Sequence, residues 1–101
     1  MMTSKERAEL RAQANPLDVT LIVGKGGISD MLLDEAVVLL DSHELVKGRV
    51  LENSLLTARE ACDALAETCR AEPVQVIGSK FVLYKRNEQK PKIELVKKAK
   101  K

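Results

Sequence analysis

The sequence has few of the residues on which catalytic and metal sites depend. Its 101 residues include one histidine, two cysteines and no tryptophan. No second histidine or cysteine stands at ligand spacing from His43, so we expect no metal site and no cofactor. The residues form no nucleophile–base pair either, and the acidic side chains fall on predicted helix surfaces. We therefore expect a protein that is not an enzyme.

Long apolar segments are absent as well. The apolar stretches are only a few residues long, so the sequence predicts no transmembrane helix. Lys5 and Glu6 make the N-terminus too charged for an export signal. With 45% apolar and 32% charged residues, the composition is typical of one soluble globular domain. We expect a cytoplasmic monomer with no membrane partner and no small-molecule substrate.

The two cysteines, Cys62 and Cys69, fall on one predicted helix. Seven residues of helix separate their Cα atoms by ~10 Å, which exceeds the ~7 Å limit for a disulfide. Both lie on the apolar face of that helix, where a thiol packs as a small apolar group. We expect them to be core residues.

Aromatic side chains are nearly missing, since Phe81 and Tyr84 are the only two. Proteins that bind single strands by stacking need exposed rings as platforms for the bases. Both rings fall in a predicted strand, at positions that also fit a core. Any nucleic acid bound by this chain should therefore be recognised by its backbone and shape more than by its bases.

The formal net charge of +2 is the sum of opposed segments. Residues 1–27 carry +1, residues 28–79 carry −6 and residues 80–101 carry +7. Acids concentrate on the second and third predicted helices, whereas basic residues occupy a glycine-rich loop, the second strand, the hairpin and the C-terminal end. Such segregation is typical of a protein with one face toward a polyanion. A solvated surface with a solubilising tail gives the same pattern.

Apolar periodicity predicts seven elements in the order α-β-α-β-α-β-β. Helices are expected at about 4–14, 29–42 and 54–70, and strands at about 18–23, 45–51, 74–77 and 81–84. A capping box over residues 3–6 begins the first helix, Pro16 ends it, and Ser54 caps the third. Helices between strands favour an α/β chain, an α+β two-layer sandwich with a four-stranded mixed sheet.

The C-terminal part of the chain loses this pattern. From Asn87 onward the apolar spacing stops, although Ile93, Leu95 and Val96 could dock as a short extended piece. We expect one domain over residues 1–95, followed by a basic, disordered tail over residues 96–101.

The most distinctive motif lies between the first strand and the second helix. Gly24, Lys25, Gly26 and Gly27 follow an apolar β-branched run and precede Ser29, a natural N-cap. Glycines leave backbone N–H groups open to an oxyanion, and a helix N-terminus adds a partial positive charge. The sequence therefore predicts an anion site of the kind that holds phosphate.

Several types of loop share these features. A nucleotide-binding P-loop requires Gly-Lys followed by Ser or Thr, which is absent here, and a dinucleotide fold requires more strands than 101 residues supply. A GxxG loop that clamps a nucleic-acid backbone matches Gly24 to Gly27. A strand-to-helix turn that binds nothing matches the same four residues equally well.

Together with other segments, this loop resembles the CRM domain family (chloroplast RNA splicing and ribosome maturation), in its stand-alone bacterial YhbY-like form. The resemblance runs from about Thr3 to Leu95 and depends on the order and spacing of several segments. These are Leu10-Arg11-Ala12 before Asn15-Pro16, Val23 to Ile28, His43 to Lys47, Val74 to Gly78, and Val82 to Lys85.

The resemblance implies a fold like the C-terminal domain of translation initiation factor three. It also implies a non-enzymatic RNA-binding protein that binds ribosomal RNA in large-subunit precursors and assists ribosome assembly. Carried over by position, the RNA-binding residues are Gly24, Lys25, Gly26, Gly27, Arg11 and Lys47. Arg49 and the tail lysines would widen that surface.

Two points depart from this interpretation. Gly48 replaces a β-branched residue that is commoner in the family, which indicates a bulge or a close backbone approach. The acidic helices also allow an alternative function, a protein-interaction adaptor in which the glycine loop is only a turn.

Overall fold

A computed structural model describes residues 3–86 of the chain. The elements follow the predicted order: α1 (Ser4–Ala14), β1 (Leu21–Val23), α2 (Asp30–His43), β2 (Leu45–Val50), α3 (Ala58–Cys69), β3 (Glu72–Ile77) and β4 (Lys80–Tyr84). The predicted docking of Ile93, Leu95 and Val96 and the predicted tail lie outside the described residues.

The four strands form one mixed sheet in the order β1-β2-β4-β3. β1 pairs with β2 in parallel, and the other two pairs are antiparallel. The helices α2 and α3 pack together on one face of the sheet, which confirms the predicted sandwich. The first helix, α1, packs against β2, β3 and β4 on the other face and covers part of it.

Alternation along the strands separates two apolar clusters. The larger one fills the space between the sheet and α2–α3; its fully buried members include Leu21, Val23, Ala36, Leu65 and Leu83. The smaller one lies under α1 and consists of Leu10, Ala14, Leu45, Val74, Val82 and Tyr84. Both predicted core thiols are confirmed as free and buried in the larger cluster. Burial, with a smaller contribution from the Asp63 carboxylate, raises the pKa of the Cys62 thiol to about 11.

The first helix begins and ends as predicted. The Thr3 hydroxyl accepts a hydrogen bond from the Glu6 N–H at 3.1 Å, and the Glu6 carboxylate accepts one from the Thr3 N–H at 3.0 Å. This capping box satisfies two of the N–H groups that a helix start leaves without a partner.

The predicted start of the third helix is wrong. The N-cap is Thr57 rather than Ser54, and Glu60 completes a second capping box with it. The Ser54 hydroxyl instead accepts a hydrogen bond from the Leu56 N–H at 3.1 Å, which holds a turn before the helix. β1 is also shorter than expected, because the segment before Leu21 contributes a single backbone bond to β2, from the Thr20 N–H to the Lys47 C=O.

Gly48 is explained by the strand next to it. The glycine pairs with Phe81 across the sheet, and both face the larger cluster. A Cβ on Gly48 would clash with Cζ of the Phe81 ring and lie 2.6 Å from its Cε1. The predicted close approach is therefore present, but an aromatic ring makes it and the pairing of Gly48 is regular.

Candidate nucleic-acid interface

The glycine loop, Gly24–Gly27, forms a β-turn directly after β1. The N–H of Gly27 donates to the C=O of Gly24 at 3.0 Å, and Gly27 has a φ of +68°, where glycine is favoured. Lys25 and Gly26 occupy the exposed tip. Apart from its own chain neighbours, no described residue has an atom within 4 Å of a Cβ placed on Gly26. The tip is therefore open to a ligand.

The loop leads directly into the N-terminus of α2. The Ser29 hydroxyl accepts a hydrogen bond from the Leu32 N–H at 3.1 Å, and its C=O begins the helical ladder with the Leu33 N–H. Within residues 3–86, the N–H groups of Asp30 and Met31 have no acceptor, as is usual in a first helical turn. These groups and the helix dipole favour an anion in front of the helix.

The N-termini of the other two helices are capped differently. Glu6 in α1 and Glu60 in α3 each fold a carboxylate back onto the cap, whereas α2 carries a leucine at the corresponding position. Its first turn does contain one acid, the exposed Asp30. The positive end of α2 is thus the one without a capping carboxylate, although Asp30 places a negative charge beside it.

Two further connections lie at the same end of the strands as the glycine loop. The Leu51 N–H donates to the C=O of Val23 at 2.9 Å, which ties the β2–α3 connection to the start of the glycine loop. The Val50 N–H donates to the C=O of Ser79 at 2.7 Å, which joins the end of β2 to the β3–β4 turn. A cleft of about 620 Å³ separates these two connections.

Lys47 lies farther from the loop than the sequence suggested. It precedes Val50, the register partner of Val23, by three residues, which is about 10 Å along the strand. Its ammonium donates to the C=O of Ala14 at 3.5 Å and of Asn15 at 3.4 Å. Lys47 therefore places its charge at the C-terminus of α1, where a cation stabilises the helix.

Arg11 is in the last turn of α1 and is half-buried. It stands one turn after Arg7, whose guanidinium donates to the C=O of Pro73 at 2.6 Å, so both arginines lie on the side of α1 nearer β3. Arg11 and Lys47 thus share the sheet face that α1 partly covers, and the structure does not bring either of them to the glycine loop.

The same face carries two exposed basic residues, Arg49 and Lys80, that pair directly across β2 and β4. Arg49 was predicted to widen the surface, whereas Lys80 was missed as a site residue. Its position opposite Arg49 follows from the register between β2 and β4, which depends on residues distant in sequence. Phe81 and Tyr84 are both buried, which agrees with the expectation that stacking platforms are lacking.

Acidic side chains predominate on the helix face and basic ones on the sheet face, as the sequence indicated, although Arg59 is exposed on α3. The outer surfaces of α2 and α3 carry the exposed acids Asp30, Asp34, Glu35, Asp41, Glu60, Asp63 and Glu67. The opposite face carries Arg7, Arg11, Lys47, Arg49 and Lys80. This polarity favours binding of a polyanion at the sheet face and the glycine loop rather than at the helices.

Across residues 3–86, no cluster of three or more His, Cys, Asp and Glu side chains is arranged to hold a metal ion. In the same part of the chain, every helix is too short or too polar to cross a bilayer.

Known proteins resemble this chain over nearly its whole length. The model of the CRS1 / YhbY (CRM) domain matches residues 2–85. "Probable RNA-binding protein YqeI" of Bacillus subtilis is 36% identical over 95 residues, which covers 94% of this chain and 99% of that protein. An "RNA-binding protein" of Haemophilus influenzae is 30% identical over 97 residues, or 96% and 97% of the two chains. The solution structure of SAV1595 from Staphylococcus aureus superposes with a TM-score of 0.78 at 37% identity and covers 94% of this chain and 99% of its own.

Proposed function

Because this chain belongs to the CRS1/YhbY (CRM) domain family, we propose that it is a non-enzymatic RNA-binding protein that acts as a monomer in assembly of the large ribosomal subunit. The glycine loop is proposed to clamp phosphates of ribosomal RNA. The observation that carries this proposal is the exposed Lys25–Gly26 tip in front of a helix whose first N–H groups have no acceptor among residues 3–86.

The proposed clamp works mainly through the main chain. Phosphate oxygens accept hydrogen bonds from the N–H groups at the loop tip and at the start of α2, and such bonds to a charged acceptor are short and strong. Lys25 adds an exposed positive charge at the tip. Asp30 opposes it, so binding depends on the directed N–H groups more than on local net charge.

Arg11 and Lys47 are proposed as outer contacts on the sheet face. The Lys47 ammonium has three donors, and its two bonds to the end of α1 are long, so the third can reach a phosphate. Arg11 is half-buried and offers a guanidinium beside β3. These contacts fix the position of the RNA backbone and do not distinguish one base sequence from another.

One observation favours the alternative, a protein-interaction adaptor. The outer surface of α2 exposes Met31, Val37 and Val38 among its acids, with 80%, 48% and 62% of their surfaces accessible. Exposed apolar groups on an acidic helix are a feature of surfaces that dock basic proteins.

A sedimentation experiment separates the two functions. We expect tagged protein in cell lysate to migrate with large-subunit precursors and to return to the top of the gradient after nuclease treatment, because its attachment depends on RNA. Val38→Asp, which changes the outer surface of α2, should leave the migration unchanged. Association that survives nuclease and is lost in Val38→Asp would instead establish the adaptor.

A further inference from the structure

Four exposed side chains form a row across the part of the sheet that α1 leaves open. The register pairs Ile22 with Arg49, Arg49 with Lys80, and Lys80 with Ile77. All four point away from the α2–α3 core, because their strand neighbours face it. Ile22 and Ile77 are 42% and 62% exposed. With strands about 4.8 Å apart, this cross-strand row is about 14 Å long.

At the centre of the row, two positive charges face each other, which does not stabilise the fold. Arg49 and Lys80 are directly opposite each other, and like charges at opposed positions destabilise a sheet. Among residues 3–86, neither cation has a carboxylate at ion-pair distance, although Glu52 lines the same cleft as Arg49. An anion between the two side chains would remove this repulsion.

The row also continues from the glycine loop. Ile22 lies in β1, two residues before Gly24, so one end of the row adjoins the loop. Toward the other end, a small cleft of about 120 Å³ lies between the sheet and the end of α1, lined in part by Asn15, Lys47 and Gln75. A chain that leaves the loop and crosses Arg49 and Lys80 would therefore arrive at this cleft, which Lys80 and Ile77 also line.

We propose that the cross-strand row is a second RNA contact, which binds an unpaired segment continuing from the glycine loop. Its phosphates lie against Arg49 and Lys80, and its ribose and base faces lie against Ile22 and Ile77. The segment is single-stranded because a duplex presents phosphates to a flat surface and keeps its base faces stacked inside. The inference rests on the proposed function and adds the path and the strandedness of the RNA.

The substitution Lys80→Glu tests the row because it has two consequences of opposite sign. A glutamate opposite Arg49 replaces a repulsive pair by an attractive one, so the melting temperature should rise by about 2–4 °C. Affinity for a labelled single-stranded RNA should fall about tenfold at low salt. In the milder variant Arg49→Gln/Lys80→Gln, the slope of log affinity against log salt should decrease by about 1.4, or 0.7 for each lost phosphate contact.

Fluorescence anisotropy with the single strand and with its duplex supplies the readout, and Arg59→Gln on the exposed surface of α3 is the matched control. The proposal is supported if the row variants lose affinity and slope for the single strand, with a smaller loss for the duplex, while Arg59→Gln does not. It is overturned if the row variants bind RNA normally while Lys25→Glu does not, which would leave the glycine loop as the site. RNA binding that survives Lys25→Glu as well overturns the proposed phosphate clamp at the glycine loop. Absence of RNA binding by the unaltered chain overturns the proposed function itself. A row that proves to be buried between two copies of the chain also overturns the inference.

Discussion

Gly48→Ala should destabilise the fold by about 3 kcal/mol, the largest effect we expect from any single methyl group in this chain. The added Cβ would clash with Cζ and lie 2.6 Å from Cε1 and 3.0 Å from Cε2 of Phe81. That ring is 1% exposed and packed in the larger cluster, so it has no space into which to move. Chemical denaturation of the two proteins measures the loss directly.

A double-mutant cycle tests the assigned cause. Phe81→Leu alone should also destabilise the protein, because it removes buried ring atoms. In the Phe81→Leu background, however, Gly48→Ala should be nearly neutral, since the ring atoms it strikes are gone. Gly26→Ala is the control, because among the described residues its Cβ would meet nothing within 4 Å. Strictly additive losses would show that Phe81 is not the reason for the glycine.

Lys25→Glu should weaken RNA binding by about ten- to a hundredfold at low salt, the largest effect on affinity that we expect. A hydrogen bond to a charged partner contributes about 1.5–3 kcal/mol, and each 1.4 kcal/mol is tenfold in affinity. The substitution also places a negative charge on the loop that leads to the N-terminus of α2, whose first turn already carries Asp30. Titration of a labelled ribosomal RNA fragment at several salt concentrations measures both the affinity and its salt dependence.

Two variants control this result. Lys5→Glu makes the same charge change at an exposed site in the first turn of α1, where glutamate is favourable for the helix, and it should alter affinity much less. Asp30→Asn removes the opposing carboxylate and should strengthen binding. If Lys5→Glu and Lys25→Glu weaken binding equally, the effect reflects overall charge and the loop has no special role.

The sequence predicted those parts of the fold that local signals determine. Both ends of α1 were predicted correctly from the capping box at Thr3 and from Pro16. Each of these signals acts within one helical turn. The predicted third helix starts too early, because Ser54 and Thr57 both carry a hydroxyl group that can cap a helix. The distinguishing signal was present in Glu60, three residues after Thr57, which makes the capping box possible only from the later start.

The parts that could not be predicted depend on contacts between distant residues. Gly48 signalled a close approach, but Phe81 as its cause follows only from the strand register. Likewise, Lys47 looked like a free cation on a strand, whereas its ammonium reaches the end of α1, more than thirty residues earlier. The glycine loop was found from sequence because glycines and a following N-cap are local; its open tip depends on which neighbouring loops pack beside it.

Backbone amide shifts report most directly on whether main-chain N–H groups bind RNA phosphates. In a ¹⁵N–¹H correlation spectrum recorded during titration with single-stranded RNA, we expect the largest shifts at the amides of Lys25, Gly26, Asp30 and Met31. The amides on the outer surface of α3 should not move. RNA that binds while the four amides keep their positions, or that shifts the α2 and α3 surfaces instead, would contradict the proposed clamp.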